Sequence, residues 1–173
     1  HYRQTFKANN QQHFLWRSIA EERYEPIVGL AQTVHVVPKT PGQAVAANCM
    51  VSFYAREVND GNANYASWGT GTSGDFPEQY TFATFGLFIQ KGNGPVYFQP
   101  GTYRKLYVSG QERLAGVANR YGAKNISIIA RLELDHGINN IYVGASIRTP
   151  TANKEGWRLH VAHRTMVLDV KYL

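Results

Sequence analysis

At 173 residues, 43% of them hydrophobic and 17% charged, the chain has enough apolar material for one well-filled core and too little length for two large ones. This composition excludes a disordered protein. No apolar run approaches the roughly 20 residues of a membrane-spanning helix, so we expect no membrane insertion. The net charge of +6 is spread along the chain, and it favours acidic partners without requiring one.

The first 24 residues differ in character from the remainder. Residues 1–12 are polar and begin with His1, so no signal peptide is expected within this sequence. A cluster of apolar residues follows, which consists of Phe14, Leu15, Trp16 and Ile19. We predict an N-terminal arm with this apolar cluster over residues 1–24 and a single jelly-roll domain over residues 25–173.

Apolar residues at every second position predict β strands through most of that domain. The predicted strands are residues 31–37, 47–58, 80–90, 96–98, 103–108, 126–134, 141–147 and 158–172. Pro38 directly follows the first of these strands and places it near a sheet edge. The strand over 80–90 is apolar on both faces, which indicates a central position or a subunit contact.

Residues 125–148 give the clearest alternation in the sequence. Two apolar runs flank a segment that contains Asp135-His136-Gly137 and Asn139-Asn140, and Gly and Asn tolerate the positive φ angles of a tight reversal. We therefore predict an antiparallel hairpin here. In the last strand, the apolar positions change from odd (Val161) to even (Met166), which predicts a β-bulge near His163.

These strands, with no convincing helix and no repeat, predict an all-β protein: an eight-stranded antiparallel jelly-roll sandwich with long end loops. An immunoglobulin-like sandwich is disfavoured, because the sequence has no Cys…Trp…Cys framework. The single cysteine, Cys49, excludes an intrachain disulfide and a cysteine zinc site, and its apolar neighbours predict a buried, inert thiol.

No catalytic or metal-binding motif occurs in the sequence. It contains no nucleophile elbow, no phosphate-binding loop in a strand-to-helix context and no His-Glu-x-x-His motif. His160 and His163 are three apart on one strand, so they point to opposite faces unless a bulge intervenes. A hydrolase or isomerase on a cupin-like barrel would need clustered histidines with a glutamate. We expect no catalytic residue, no metal site and no cofactor, and hence no enzyme.

Basic and aromatic residues are interleaved near the start of the chain. Positive charge binds phosphate and aromatic rings stack on bases, as binding of single-stranded nucleic acid requires. The candidate nucleic-acid contacts are Arg3, Lys7, Trp16, Arg17 and Arg23. The alternative is a solvated arm whose aromatic residues simply pack. Further basic residues mostly occupy outward positions of the late strands, where they either face a polyanion or keep the sheet edges soluble. They are Arg131, Arg148, Arg158, Arg164 and Lys171.

Residues 59–76 form a long polar segment rich in Gly, Asn, Ser and Thr, in which Tyr65 and Trp68 are embedded. A loop of this length in a compact domain is usually functional or mobile. Tyr65 and Trp68 are therefore candidate ligand or receptor contacts, because aromatic faces stack on sugar rings. A carbohydrate-binding jelly roll, or a trimeric head like those of C1q and TNF, is the alternative function.

Three short segments resemble virion proteins. Gln4-Thr5-Phe6 and Asn139-Asn140-Ile141-Tyr142-Val143-Gly144 resemble the major spike protein of small icosahedral single-stranded DNA phages, which is also similar in length. The stretch from His163 to Val170 resembles the last strand of capsid proteins from small circular single-stranded DNA viruses. The arginine-rich arm of those capsid proteins is not among the 173 residues.

The resemblance implies a non-enzymatic viral structural protein with one jelly roll per subunit. Such a capsid or spike subunit would assemble with copies of itself into a symmetric, icosahedral virion. The implied further partners are other virion proteins and packaged single-stranded nucleic acid, and the implied location is the virion.

Overall fold

The computed structural model describes residues 2–8, 12–15, 24–59, 82–107, 123–148 and 157–173. All regular secondary structure in this part of the chain is β strand. The strands are β1 (Tyr2–Ala8), β2 (Gln12–Leu15), β3 (Glu25–Val36), β4 (Val45–Asn59), β5 (Phe82–Lys91), β6 (Val96–Phe98), β7 (Arg104–Tyr107), β8 (Ala123–Leu134), β9 (Gly137–Arg148) and β10 (Trp157–Tyr172). Among these residues, no helix long and apolar enough to cross a membrane is found.

The strands form two antiparallel sheets of five strands each. The first sheet has the order β1–β10–β4–β8, and β2 pairs with the other half of β10. The second sheet has the order β3–β9–β5–β6, and β7 pairs with the other end of β5. β1 and β2 lie end to end beside β10, and β6 and β7 lie end to end beside β5. Each sheet is therefore four strands wide, which gives eight strand positions among the described residues. The prediction of an all-β antiparallel sandwich is confirmed.

The pairs of neighbouring strands are nested in the sequence. The outermost pair joins β1 and β2 to β10, and inside it β3 pairs with β9, β4 with β8, and β5 with β6 and β7. A single long antiparallel hairpin that folds over into two layers produces this nesting. The order is compatible with the predicted jelly roll, whose two sheets are built from Greek keys.

The core lies between the sheets and takes alternate residues from each strand. In β4 the buried side chains are those of Cys49, Val51, Phe53 and Ala55. Their neighbours Met50 and Ser52 point outward and are exposed. Phe53 meets Phe85 of β5 edge to face, with ring centroids 5.0 Å apart, so an aromatic pair joins the two layers.

Three predictions about individual strands are confirmed. β3 lies at one end of the second sheet, as Pro38 predicted, and β5 lies between β9 and the β6–β7 position. The pairing of β10 with β4 shifts register between Ala162 and Thr165, where His163 has a φ of 50°. This is the predicted bulge, and it explains why the inward positions change from odd to even.

The prediction of a hairpin within residues 125–148 is wrong. β8 pairs with β4 in the first sheet, whereas β9 pairs with β3 and β5 in the second. The chain therefore crosses from one layer to the other at residues 135–137. Alternation shows which face of a strand is apolar, but it does not show which strand lies beside it. Two consecutive strands with apolar faces can pair in one sheet, or they can face each other across the core from different sheets.

The buried side chain of Asn139 holds this crossing together. Its Nδ2 donates to the carbonyl oxygens of Asp135, at 2.8 Å, and Gly137, at 3.2 Å, while its Oδ1 accepts from the Asp135 N–H at 3.0 Å. Gly137 has a φ of +92°, which glycine adopts without strain. Lys91 Nζ lies 2.9 Å from Asp135 Oδ1 and ties the crossing to β5. The Asn139 amide thus supplies the hydrogen bonds that a hairpin ladder would have supplied.

The thiol of Cys49 is fully buried, as predicted, and burial raises its pKa from 9.0 to about 12. As the pH rises, the unfolded chain releases this proton first, so the thiol's contribution to stability is complete below pH 9 and is lost towards pH 12. In this window we expect the free energy of unfolding to fall with pH about 1.4 kcal/mol per unit more steeply for the native chain than for Cys49→Ala. Denaturant unfolding at a series of pH values measures both slopes, and parallel slopes would contradict the expectation.

Candidate functional site on the open side of the sandwich

The structure describes the backbone of two predicted nucleic-acid contacts, Arg3 and Lys7. Both lie in β1, where Arg3 is opposite Asp169 and Lys7 is opposite Thr165 of β10. This part of the predicted arm is therefore a strand of the first sheet. The remaining predicted contacts lie outside the described residues; they are Trp16, Arg17, Arg23, Tyr65 and Trp68.

Among the late basic residues, one expectation is wrong. Arg164 is 2% exposed rather than outward, and desolvation lowers the pKa of its guanidinium. The bulge at His163 is the reason, because it moves Arg164 onto the same side of β10 as Met166. Arg131 and Lys171 are exposed, as expected. Within the described ranges, no group of three or more His, Cys, Asp or Glu residues is placed to hold a metal ion.

The outer face of the second sheet carries a cluster of four aromatic rings. Phe88 lies at its centre and stacks on Tyr142, with ring centroids 5.3 Å apart. Tyr24 and Phe98 contact the same ring, at 4.9 and 5.5 Å. β5 lies in the interior of its sheet, and its inward side chains pack in the core. The aromatic cluster covers part of its outward face, which accounts for the apolar residues on both faces of this strand.

Among the described residues, one side of the sandwich is open between the last strands of the two sheets, β8 and β6. A cleft of about 790 Å³ lies along this side. Its apolar walls include Pro95, Tyr97, Phe98 and Pro100, and its charged rim is formed by Lys91, Arg131, Glu133 and Asp135. The cleft brings an apolar segment of the second sheet next to a charged strand of the first.

Apolar side chains are unusually exposed on and near this side. The three consecutive residues of β6, Val96, Tyr97 and Phe98, are 46%, 56% and 38% exposed. On β8, Ile129 is 73% exposed, and it lies opposite Met50 of β4, which is 41% exposed. Exposed apolar side chains on edge strands are frequent at contact surfaces, because association removes them from water.

Arg104 of β7 closes one end of the open side. Its Nε donates to the carbonyl oxygen of Ser127 on β8 at 2.9 Å, and its Nη1 donates to the carbonyl oxygens of Gly101 and Tyr103 at 3.2 and 2.8 Å. The guanidinium thus joins the edges of the two sheets. It also shows that the backbone groups of Ser127 point away from β4.

The backbone groups along the rest of β8 follow from this direction. In an antiparallel strand, the N–H and C=O of one residue point to the same side, and the side alternates along the chain. The groups of Ile129, Arg131 and Glu133 therefore point the same way as those of Ser127. No strand in the described part of the chain pairs with them. As far as the described strands go, the open side presents an unpaired strand edge flanked by apolar side chains.

Sequence reasoning did not identify this side. The sequence predicts only an outward position for Arg131, and it predicts no role for Glu133 or Tyr97. The available signal was the opposite charge of Arg131 and Glu133 at outward positions two residues apart. That signal becomes specific only when β8 is known to be an edge strand.

The fold defines the class of protein: an all-β antiparallel sandwich. No family model and no curated protein matches its sequence. Among solved structures, thirty-three chains match. One of them is a chain in a structure of the infectious bursal disease virus Gx strain, with 7% sequence identity and a TM-score of 0.46. The match covers 98% of this chain, which spans 37% of the length of that one.

Proposed function

We propose that this protein is a viral structural protein: a capsid or spike subunit that assembles with copies of itself into a symmetric, icosahedral virion. The observation that carries the proposal is the open side, where an unpaired strand edge and exposed apolar residues lie beside one cleft. A rigid two-layer sandwich with such a side is suited to repeated contacts between identical subunits.

The placement of the segments that resemble virion proteins supports the same proposal. Gln4, Thr5 and Phe6 lie in β1, opposite Leu168, Val167 and Met166 of β10. The segment that resembles a spike protein and the segment that resembles a capsid strand are thus paired neighbours in the first sheet. The residues that carry the resemblance form part of the sheet framework.

Size-exclusion chromatography with light scattering, followed by electron microscopy of the peak, tests self-assembly. The full chain is expected to form a closed oligomer whose mass is a fixed multiple of 19.4 kDa over a wide concentration range. A strict monomer at high concentration would overturn the proposal. A trimer that forms no larger particle would favour the alternative of a C1q- or TNF-like head.

The proposal includes contact with packaged single-stranded nucleic acid through the N-terminal segment, where Arg3 and Lys7 lie in β1. Phosphate contacts release counterions, so such binding weakens steeply as salt rises. Particles are expected to carry absorbance at 260 nm that is lost in high salt and reduced by the double substitution Arg3→Glu, Lys7→Glu. Intact particles without nucleic acid would restrict the protein to an external spike.

A further inference from the structure

We infer that β8 is the contact between subunits: the β8 strands of two copies pair antiparallel about a two-fold axis, with Arg131 of each opposite Glu133 of the other. The inference rests on the proposed self-assembly and assigns it a surface, a partner and a register. The partner is a second copy of this chain, because the charges along the strand are complementary to themselves.

β8 is an edge strand in the part of the chain that the structure describes. Within that part, no strand pairs with the N–H and C=O groups of Ile129, Arg131 and Glu133, and strand addition satisfies such groups. Arg104 already occupies the carbonyl oxygen of Ser127 at 2.9 Å. A partner strand therefore finds free hydrogen-bonding groups at Ile129, Arg131 and Glu133, and not at Ser127 or at Asp135, whose N–H and carbonyl oxygen bond to Asn139.

The charges on the outward face of β8 are complementary to themselves. Arg131 and Glu133 are both exposed, and they occupy positions of the same parity on β8. Neither has an ion-pair partner among the described residues. When two copies of a strand run antiparallel, the register that puts residue 131 opposite residue 133 does so twice, once on each side of the axis. Two opposite-charge pairs form together, whereas a register that places residue 131 or residue 133 opposite itself brings like charges together.

The backbone accommodates this register. Its hydrogen-bonded pairs join residue 131 of each copy to residue 133 of the other, whereas Asp135 keeps the bonds of its N–H and carbonyl oxygen to Asn139. Ser127 lies outside the paired segment, so the hydrogen bond from Arg104 is kept. A register that places Ile129 opposite itself requires Ser127 to pair as well, and it removes that bond. A register that places Arg131 opposite itself also keeps that bond, but it brings like charges together, so the charge pairs select the proposed alignment.

The apolar residues supply the remaining contact area. Tyr97 and Phe98 line the same cleft as Arg131 and Glu133, so they lie on the side that a second copy would cover. Their exposed fractions, 56% and 38%, fall when the partner is in place. Burial of these rings stabilises the contact, and the two charge pairs determine its alignment.

Charge reversal on the full chain tests the inference. Arg131→Glu and Glu133→Arg each replace two attractive pairs by two repulsive ones, and each is expected to weaken self-association at least about tenfold by analytical ultracentrifugation. The double variant Arg131→Glu, Glu133→Arg restores opposite charges and is expected to associate like the native chain. An equimolar mixture of the two single variants is expected to associate as a heterodimer.

Cysteine cross-linking tests the register independently of charge. A mixture of the Arg131→Cys and Glu133→Cys chains is expected to form an intermolecular disulfide, because directly opposite Cα atoms in a hydrogen-bonded pair are roughly 5.5 Å apart. Either chain alone is expected to stay reduced, since equal residues then lie on a diagonal about 7–8 Å apart. Cys49 is buried and does not compete.

The outcomes separate this inference from the proposed function. If the native chain assembles while the charge variants assemble equally well and no disulfide forms in the mixture, β8 is not the contact and self-assembly stands. The same result is expected if a partner protein or another segment of the chain pairs with the edge of β8. If the native chain is monomeric, both proposals fail. Circular dichroism of each variant should match the native chain, because both side chains are exposed.

Discussion

Substitution of Asn139 by Ala is expected to lower the free energy of unfolding by about 1–3 kcal/mol, because it removes both partners of the Asp135 backbone at once. The amide of Asn139 donates to one carbonyl oxygen of the crossing at 2.8 Å and accepts from an N–H at 3.0 Å. Both bonds belong to a side chain that is fully buried, so water does not replace them without opening the crossing. Chemical denaturation monitored by tryptophan fluorescence or circular dichroism measures the change.

Asn140 offers a matched control, because it is the same residue type one position further along β9. Its Oδ1 accepts a hydrogen bond from Thr33 Oγ1 at 2.9 Å in an exposed setting. Asn140→Ala is expected to cost less than about 1 kcal/mol, since water replaces that partner. Equal losses for the two variants would show that the Asn139 amide does not hold the crossing.

Substitution of Gly86 by Ala is expected to lower the free energy of unfolding by about 1–3 kcal/mol, because there is no room at this position for a side chain. Gly86 lies beneath the aromatic cluster on the outer face of the second sheet, and a Cβ at this position would clash with the ring of Phe98. The ring of Phe98 must shift, which disturbs its edge-to-face contact with Phe88 at 5.5 Å. Thermal and denaturant unfolding both report the loss.

A double-mutant cycle with Phe98→Ala provides the control for this prediction. Once the ring of Phe98 is absent, the methyl group added at position 86 has room, so Gly86→Ala is expected to cost much less in that background. The coupling between the two sites should be about 1 kcal/mol or more. Additive effects would mean that the clash is relieved elsewhere in the cluster.

The alternation of apolar residues was sufficient to identify the inward faces. Ile128, Leu132 and Val143 are buried, as their positions predicted. The bulge at His163 was also predictable, because a change of parity within one strand is visible locally. Each of these features depends on residues close together in the sequence.

The pairing of strands was not predictable in the same way. Val45 of β4 lies opposite Leu134 of β8, and the two are far apart in the sequence. The short segment at Asp135 and Gly137 suits a hairpin turn and a crossing between layers equally well, so local residues could not decide between them. The error at Arg164 has a similar origin, since its burial depends on how far the bulge shifts the residues that follow.

The candidate site on the open side depends on those distant pairings. Arg131 and Glu133 gain a role only because β8 has no neighbour beyond it in the described structure. A sequence shows that two opposite charges share one face of a strand, but not that the strand ends a sheet. Charge patterning on an edge strand is therefore recognised only after the fold is known.

The position of β10 between β1 and β4 has a consequence for synthesis of the protein. During translation, β4 and β8 emerge long before β10, the strand that must be inserted between β4 and the strands at the start of the chain. The first layer therefore cannot close on the ribosome until the segment up to Tyr172 has been released from the exit tunnel. Chains truncated before β10 would therefore lack a closed first layer.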